Sequence, residues 1–248
     1  NETRDLGYHI GSFAFRKTGG LIAATQRGFC FLDFDTGLLD LISDPESGRN
    51  DLTMNDGRAG PGGQFFAGSM GFPIRLDQLD GTFYRLDADG TVTALVGGMG
   101  TSNGLAFSPD GKTLYHADSL PCVQTIWAWD HDPASGGIEN RRVFATTEEL
   151  AGRPDGACVD AEGFYWSANV DGWQVVRYAP DGSIDRILAI PVQKPSMPCF
   201  GGPYLDILYV TSIGNGGSSP MAEGQPQAGG IFACQPGVKG LPEPFFAG

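Results

Sequence analysis

Three short, oxygen-bearing side chains stand beside glycines at matching places in this sequence. Asn55 lies in Asn-Asp-Gly, Asn103 in Ser-Asn-Gly and Asp155 in Pro-Asp-Gly. Carboxylate and amide oxygens are the ligands that Ca²⁺ and Mg²⁺ prefer. Taken singly, each tripeptide is typical of an ordinary turn. Their shared place, one in each repeated segment and just before an apolar run, favours a common site.

The elements that must position these side chains repeat along the chain. A turn glycine followed by an apolar run recurs at Gly20, Gly63, Gly111 and Gly163, and a weaker copy begins near Asp206. These anchors are about 43 to 52 residues apart, a spacing typical of β-propeller blades. Because the apolar runs are short, rich in aromatic and β-branched residues and broken by glycine, each repeat predicts four β-strands.

Composition supports an all-β domain and excludes several classes of partner. The chain of 248 residues has 38 glycines and 17 prolines without a Gly-X-Y period, which indicates many turns. Only residues 148–151 look locally helical, as a short turn within a loop. A net charge of −13 argues against nucleic acid or an anionic membrane as partner. Since there is no membrane-length apolar run and no secretory h-region, a cytoplasmic location is expected.

Cysteines and histidines show no metal-binding or disulfide pattern. The five cysteines are widely spaced, odd in number and without a Cys-X-X-Cys, so they are expected to be buried, reduced thiols. They are Cys30, Cys122, Cys158, Cys199 and Cys234. The histidines, His9, His116 and His131, fall in no ligand spacing and are assigned packing or surface roles.

Several stretches together resemble the SMP-30/gluconolactonase family. They are NDGRAGPGGQFFAGSM, TSNGLAFSPDGKTLYHADS, GRPDGACVDAEGFYWSANVDGWQVVRYAPDG, the preceding IGSFAFR and the later FGGPYLDILYVTS. The likeness runs through nearly the whole chain in order. It implies an all-β, six-bladed β-propeller with one divalent metal on its axis, and hydrolysis of a sugar lactone to the aldonic acid.

The resemblance also implies roles for the three side chains. Asn103 and Asp155 are expected metal ligands, and Asn55 is expected to bind the metal or a substrate oxygen. Asp155 is in addition the expected catalytic general base, which removes a proton from the attacking water. Ca²⁺ is the expected ion because the donors are oxygens on loops, with Mg²⁺, Zn²⁺ and Fe²⁺ as alternatives.

The sequence departs from the family in three ways. The first-blade segment with a metal-binding Glu is missing, and Glu2 stands in a different context. Thr53 stands where the family's sugar lactonases often have a substrate-binding Arg, and Gly60-Pro61 replaces the usual Asp-Pro turn. We therefore expect one propeller domain over residues 1–248, truncated at its N-terminus, with an incomplete first blade. A second copy of the chain is an expected partner that would cover this blade.

Three functions are compatible with these residues. The first is metal-dependent hydrolysis of a sugar lactone, and retention of Asn55, Asn103 and Asp155 favours it. The second is a non-catalytic or degenerate propeller that binds metal weakly or serves as an interaction module. The absence of the Glu and the presence of Thr53 in place of an Arg favour it. The third is hydrolysis of an organophosphate or another ester on the same scaffold.

Other side chains have a less specific signal. The arginines Arg58, Arg153, Arg141 and Arg142 could contact an oxygen-rich substrate, but surface salt bridges are expected for them. Trp173, Phe200 and Met197 are compatible with either a pocket mouth or core packing.

Overall fold

The computed structural model describes residues 5–214 and 222–248. These residues form 19 β-strands in five antiparallel sheets, and they contain no α-helix. No helix among them is long and apolar enough to cross a membrane. Residues 148–151, which look helical in sequence, lie in a turn with a hydrogen bond of 3.0 Å from Leu150 N to Thr147 O. The prediction of an all-β protein is confirmed.

Each sheet is a meander of consecutive strands, so each is one continuous stretch of chain. The first sheet contains β1 (Ile10–Phe15), β2 (Leu21–Thr25), β3 (Gly28–Asp33) and β4 (Leu38–Ser43). The second contains β5 (Leu52–Ala59), β6 (Phe65–Gly71), β7 (Gly81–Leu86) and β8 (Val92–Met99). The third contains β9 (Ser102–Phe107), β10 (Thr113–Asp118), β11 (Thr125–Asp132) and β12 (Gly137–Thr146). The fourth contains β13 (Arg153–Val159), β14 (Tyr165–Val170), β15 (Gln174–Tyr178) and β16 (Ile184–Ala189). The fifth contains β17 (Pro195–Gly201), β18 (Ile207–Ser212) and β19 (Ile231–Cys234).

The predicted anchors all lie where a meander makes its first reversal. Gly20, Gly63, Gly111 and Gly163 stand in the turn between the first and second strand of the first four sheets, and each has a φ between 72° and 89°. Glycine adopts this left-handed conformation without steric cost. Asp206 closes the same turn in the fifth sheet, directly before β18. The predicted repeat is therefore confirmed.

The prediction of six blades, the first incomplete, is wrong for the described residues. They contain five sheets, and the first sheet has all four strands. The physical reason is length: at about 43 to 52 residues per repeat, 248 residues accommodate five repeats. The sheet with only three strands is the fifth.

The described residues form two compact units. Unit 1 holds the described residues up to Ser102, together with 132–138 and 243–248. Unit 2 holds the described residues of 103–131 and 139–242. A single domain over residues 1–248 stays a prediction.

The core of unit 1 includes the C-terminal segment of the chain. Phe246 is 1% exposed, its N donates to Phe15 O at 2.9 Å, and its carbonyl accepts from Lys17 N at 2.9 Å. It packs with buried apolar side chains of the first two sheets, among them Ile22, Phe29, Phe65 and Leu86. Burial of such side chains is the main favourable contribution to folding.

The core of unit 2 combines aromatic packing with a buried ion pair. The rings of Tyr115 and Tyr165 have centroids 5.0 Å apart. Arg177 and Asp160 are almost fully buried, with 2.6 Å between Nη2 and Oδ2, and Trp166 Nε1 donates to the same carboxylate at 2.9 Å. These contacts fix β14 and β15 against the turn that follows β13.

Three aspartates accept hydrogen bonds within their turns. Asp89, Asp110 and Asp181 each accept a backbone N–H two residues ahead, at 2.9 to 3.0 Å. Asp110 lies in the turn between β9 and β10, and the other two lie in turns between the third and fourth strands of their sheets. The expectation that the cysteines are buried is only partly right, because Cys122 and Cys234 are exposed. Cys122 lies in a turn, and Cys234 is the last residue of β19, which lies at the edge of its sheet.

Candidate active site

A β-bulge recurs in the first strand of several sheets, and two predicted site residues lie in it. In β5, Met54 pairs with Ser69 and Gly57 with Ala67, so β5 has one extra residue at Asn55-Asp56. In β13, Pro154 pairs with Asn169 and Ala157 with Ser167, so the extra residue falls at Asp155-Gly156. Equivalent irregularities lie at Gly11 in β1 and Ser196 in β17. A bulge bends its strand and redirects a side chain, and bulges are enriched beside active sites.

Asn55 is held within unit 1 by contacts on both sides of the bulge. Its Nδ2 donates to the Ser102 carbonyl oxygen at 2.9 Å, and Ser102 directly precedes Asn103 in the chain. A side chain on Gly11 would overlap the carbonyl oxygens of Met54 and Asn55. The bulge of β1 therefore admits only glycine and offers no ligand atom from a side chain.

Thr53, two residues before Asn55, has local partners. It is 2% exposed, its Oγ1 donates to the Met54 carbonyl oxygen at 3.3 Å, and His9 Nδ1 lies 3.5 Å away. His9 itself is exposed and packs against Phe72, with 5.3 Å between ring centroids. The imidazole thus borders the position at which the family resemblance leads us to expect an arginine.

In unit 2, the structure links Asn103 to the segment that carries Asp155. Asn103 is 5% exposed, and its Nδ2 donates to Ser119 Oγ at 2.6 Å. Ser119, 3% exposed, donates in turn to the carbonyl oxygen of Pro154, the residue before Asp155. Since the amide nitrogen faces Ser119, Oδ1 of Asn103 points to the opposite side of the amide group.

Gly104 allows the close approach of the third and fourth sheets at this edge. Its φ is +64°, and a Cβ there would lie 2.5 Å from Tyr165 Oη and 3.3 Å from the Asp155 carbonyl oxygen. Tyr165 Oη donates to the Gly104 carbonyl oxygen at 2.8 Å. The glycine of Ser-Asn-Gly is therefore required by both its backbone conformation and its neighbours.

Asp155 is half-buried and lies where the bulges of β13 and β17 meet. A Cβ added to Gly156 would be 2.6 Å from Met197 Sδ and 2.7 Å from the Ser196 carbonyl oxygen. Met197 therefore borders the Asp155 segment. Phe200, in contrast, is a core residue, 7% exposed and edge-on to Trp166.

Beside Asp155 lies a group of three charged side chains that we call the Arg153 cluster: Arg153, Asp171 and Lys194. Arg153 Nη2 is 2.7 Å from Asp171 Oδ2, and Lys194 Nζ is 2.9 Å from Asp171 Oδ1. Arg153 Nη1 also donates to the Ser119 carbonyl oxygen at 3.2 Å. Partial burial raises the pKa of the Asp171 carboxyl, but the bonds from Arg153 and Lys194 outweigh it and hold that pKa below its ordinary value.

Ser119, Asp171 and Lys194 were not identified from the sequence. One signal is visible in retrospect: Lys194 precedes the Ser196 bulge by two residues, as Arg153 precedes Asp155. No comparable signal marks Asp171, which has φ +68° in a tight turn. Trp173, in the same turn, is 40% exposed with φ +59°.

The other arginines singled out from the sequence have different partners. Arg142 pairs with Asp130 at 2.7 Å, and both side chains are about half exposed, so a surface salt bridge is confirmed for it. Arg58 pairs with Glu243 at 3.3 Å, but its side chain is only 12% exposed, so this salt bridge is not on the open surface. Arg141 instead stacks over the Trp129 ring, 5.5 Å from its centroid.

The donor chemistry at this edge fits a hard divalent cation. Among the described residues, no group of three or more His, Cys, Asp or Glu side chains could hold a metal ion. A cation here would be held by the Asp155 carboxylate and by the Asn103 amide oxygen, together with water, which suits Ca²⁺ better than a metal that prefers nitrogen or sulfur ligands. Glu2 lies outside the described residues.

The fold and its likeness to known proteins identify the family. Five meander sheets define an all-β protein of the β-propeller type. Residues 1–214 match the family described as SMP-30/Gluconolactonase/LRE-like region, and the chain belongs to this family.

Individual relatives cover most of the chain. A 6-deoxy-6-sulfogluconolactonase of Pseudomonas putida is 37% identical over 99% of this chain and 83% of that protein. Regucalcin of Xenopus laevis is 36% identical over 96% of this chain and 81% of that protein. The crystal structure of a calcium-binding protein, regucalcin, from Agrobacterium tumefaciens superposes with a TM-score of 0.86 at 29% identity, over 96% of this chain and 80% of that chain.

Proposed function

We propose that this chain hydrolyses a sugar lactone to the aldonic acid with the help of one bound divalent cation, Ca²⁺. The observation that carries the proposal is the half-buried Asp155 carboxylate in the bulge of β13, joined through Pro154 and Ser119 to the buried amide of Asn103. The sulfogluconolactonase relative supports a lactone substrate, and the calcium-binding regucalcin supports the ion.

Asp155, Asn103 and Asn55 have different roles in the proposed hydrolysis. When bound, the cation polarises the lactone carbonyl and makes water easier to deprotonate. The Asp155 carboxylate accepts a proton as the water oxygen bonds to the carbonyl carbon, and returns it to the ring oxygen as the ester C–O bond breaks. Asn103, oriented by Ser119, supplies a ligand oxygen, and Asn55 keeps its predicted role as a metal or substrate ligand.

The base is tested with Asp155→Asn, which keeps one oxygen but cannot accept the proton. We expect kcat for D-glucono-1,5-lactone, measured by pH-stat and corrected for spontaneous hydrolysis, to fall by about 10² or more. The matched control is Asp110→Asn, the same change in the turn between β9 and β10, where Asp110 accepts from Ser108 Oγ and Lys112 N. Wild-type turnover in Asp155→Asn would exclude Asp155 as the base.

A further inference from the structure

Trp173 differs from the other three tryptophans in the surroundings of its ring. Arg141 lies over the rings of both Trp127 and Trp129, 5.5 Å from each centroid. Trp166 is fully buried in the core. Trp173 is 40% exposed, and within the part of the chain that the structure describes no aromatic ring or guanidinium lies against its indole. Part of its apolar face is therefore open to solutes.

The backbone of Trp173 is held in a conformation that large side chains rarely adopt. Its φ is +59°, a left-handed value that costs free energy for a residue with a Cβ. Its N–H donates to the Gln193 carbonyl oxygen at 3.3 Å, and its own carbonyl oxygen accepts from Ile190 N at 2.7 Å. The segment after β16 thus fixes the turn and the direction in which the side chain leaves it. Strained residues that persist in this way cluster at binding and active sites.

The strand register places Trp173 at the rim of the sheet above Asp155. Pro154 pairs with Asn169 and Asn169 pairs with Gln174, so these residues form one row across β13, β14 and β15. Asp155 follows this row into its strand, whereas Trp173 precedes the row, outside the strands. Two strand spacings separate β13 from β15, which is about 10 Å. A lactone with its ester at Asp155 can therefore extend its ring carbons towards the indole, and all these residues belong to unit 2.

We propose that Trp173 is a stacking platform for the sugar part of the lactone, against which the C–H face of the substrate or of the aldonate product packs. This inference deepens the proposed lactonase function and depends on it. A sugar has hydroxyl groups at its edge and C–H bonds on its faces, and an indole offers an apolar face together with an N–H donor. Binding sites for small molecules combine such aromatic surfaces with a few polar groups. Because the platform contacts carbons remote from the ester, it contributes to binding rather than to the chemical step.

The test removes the ring with Trp173→Asn, since asparagine accepts a left-handed backbone more readily than most residues. We expect KM for D-glucono-1,5-lactone to rise about tenfold with kcat changed by less than about twofold, because a contact that is equal in the ground state and the transition state affects KM alone. Trp173→Phe keeps a smaller aromatic face and should raise KM by only about threefold.

The matched control is Leu205→Asn. Leu205 also has a left-handed backbone, with φ +53°, but it lies in the turn between β17 and β18, at the opposite end of its sheet from the Ser196 bulge. The same substitution in the same backbone conformation should leave both KM and kcat unchanged there.

The outcomes separate this inference from the proposed function. If the lactone is hydrolysed but Trp173→Asn leaves KM unchanged, or lowers kcat alone, the inference is overturned. Should Trp173→Asn fail to fold, an unchanged KM in Trp173→Phe overturns it instead. If the lactone is not hydrolysed, the lactonase function fails, and calorimetry with D-gluconate tests the platform by itself. Binding that is about tenfold weaker in Trp173→Asn than in wild type and Leu205→Asn supports the platform, whereas equal binding, or no binding to wild type, overturns it.

Discussion

Ser119→Ala tests the hydrogen bonds that connect Asn103 to the Asp155 segment. The Ser119 hydroxyl accepts from Asn103 Nδ2 at 2.6 Å and donates to the Pro154 carbonyl oxygen, and the side chains of Asn103 and Ser119 are 5% and 3% exposed. Alanine removes both bonds and leaves one buried donor and one buried acceptor. Each such group costs about 1–3 kcal/mol, so the free energy of unfolding should fall by about 2–6 kcal/mol.

Activity should fall as well, because the same hydroxyl orients two segments of the proposed site. Without it, the Asn103 amide can turn, and the Asp155 segment loses its link to the residue that follows β10. A misplacement of about 1 Å can cost about 10² in rate. We therefore expect kcat/KM for the lactone to fall by at least about tenfold and the affinity for Ca²⁺ to weaken.

The assay pairs urea unfolding with initial rates and calcium titration. Ser69→Ala is the matched control, since Ser69 is fully buried and its hydroxyl donates to Glu46 at 2.6 Å and accepts from Thr82 N at 2.9 Å. It should lose similar stability without the specific loss of activity. If Ser119→Ala keeps the kcat/KM and Ca²⁺ affinity of wild type, the positioning role of Ser119 is refuted.

Two further changes test the packing around the site. Gly104→Ala should lower the free energy of unfolding by about 2–4 kcal/mol, because alanine would be strained in the left-handed conformation and would also overlap Tyr165. The control is Gly237→Ala, at φ +83° with open space around it, which should lower the free energy of unfolding by only about 1–2 kcal/mol. Equal losses in the two variants would contradict the close approach of Gly104 to Tyr165. Burial lowers the pKa of His116 to about 3, so the unfolded chain, with a histidine pKa of about 6.5, binds the extra proton between these values. The contribution of neutral His116 to the free energy of unfolding is thus fully present above pH 6.5 and is lost as the pH falls, by about 2 kcal/mol between pH 6.5 and 5. His116→Gln should remove this part of the pH dependence in unfolding measurements.

The sequence predicted the parts of the fold that depend on local chemistry. The turn glycines from Gly20 to Gly163 each need a left-handed backbone, and a glycine before an apolar run is visible in a single sequence. The repeat placed Asn55 and Asp155 just before the first strand of their sheets, whereas both lie within that strand. The bulges that hold them could not be predicted, because a bulge appears only in the pairing with the next strand.

Contacts between distant residues account for what the sequence could not predict. Lys194 and Asp171 are 23 residues apart, and Ser119 meets Pro154 across 35, so no local pattern marks either pair. The number of sheets was wrong because the resemblance carried over a six-bladed plan, whereas the described residues complete their first sheet with β1.

The most direct test of the central claim is a calcium titration by calorimetry on the purified chain, followed by hydrolysis of D-glucono-1,5-lactone with saturating Ca²⁺ and with a chelator. Calcium-dependent turnover together with saturable binding at a single site is the result that we predict. Turnover that is unchanged by the chelator, or calcium binding without any turnover, would contradict the assignment of a metal-dependent lactonase.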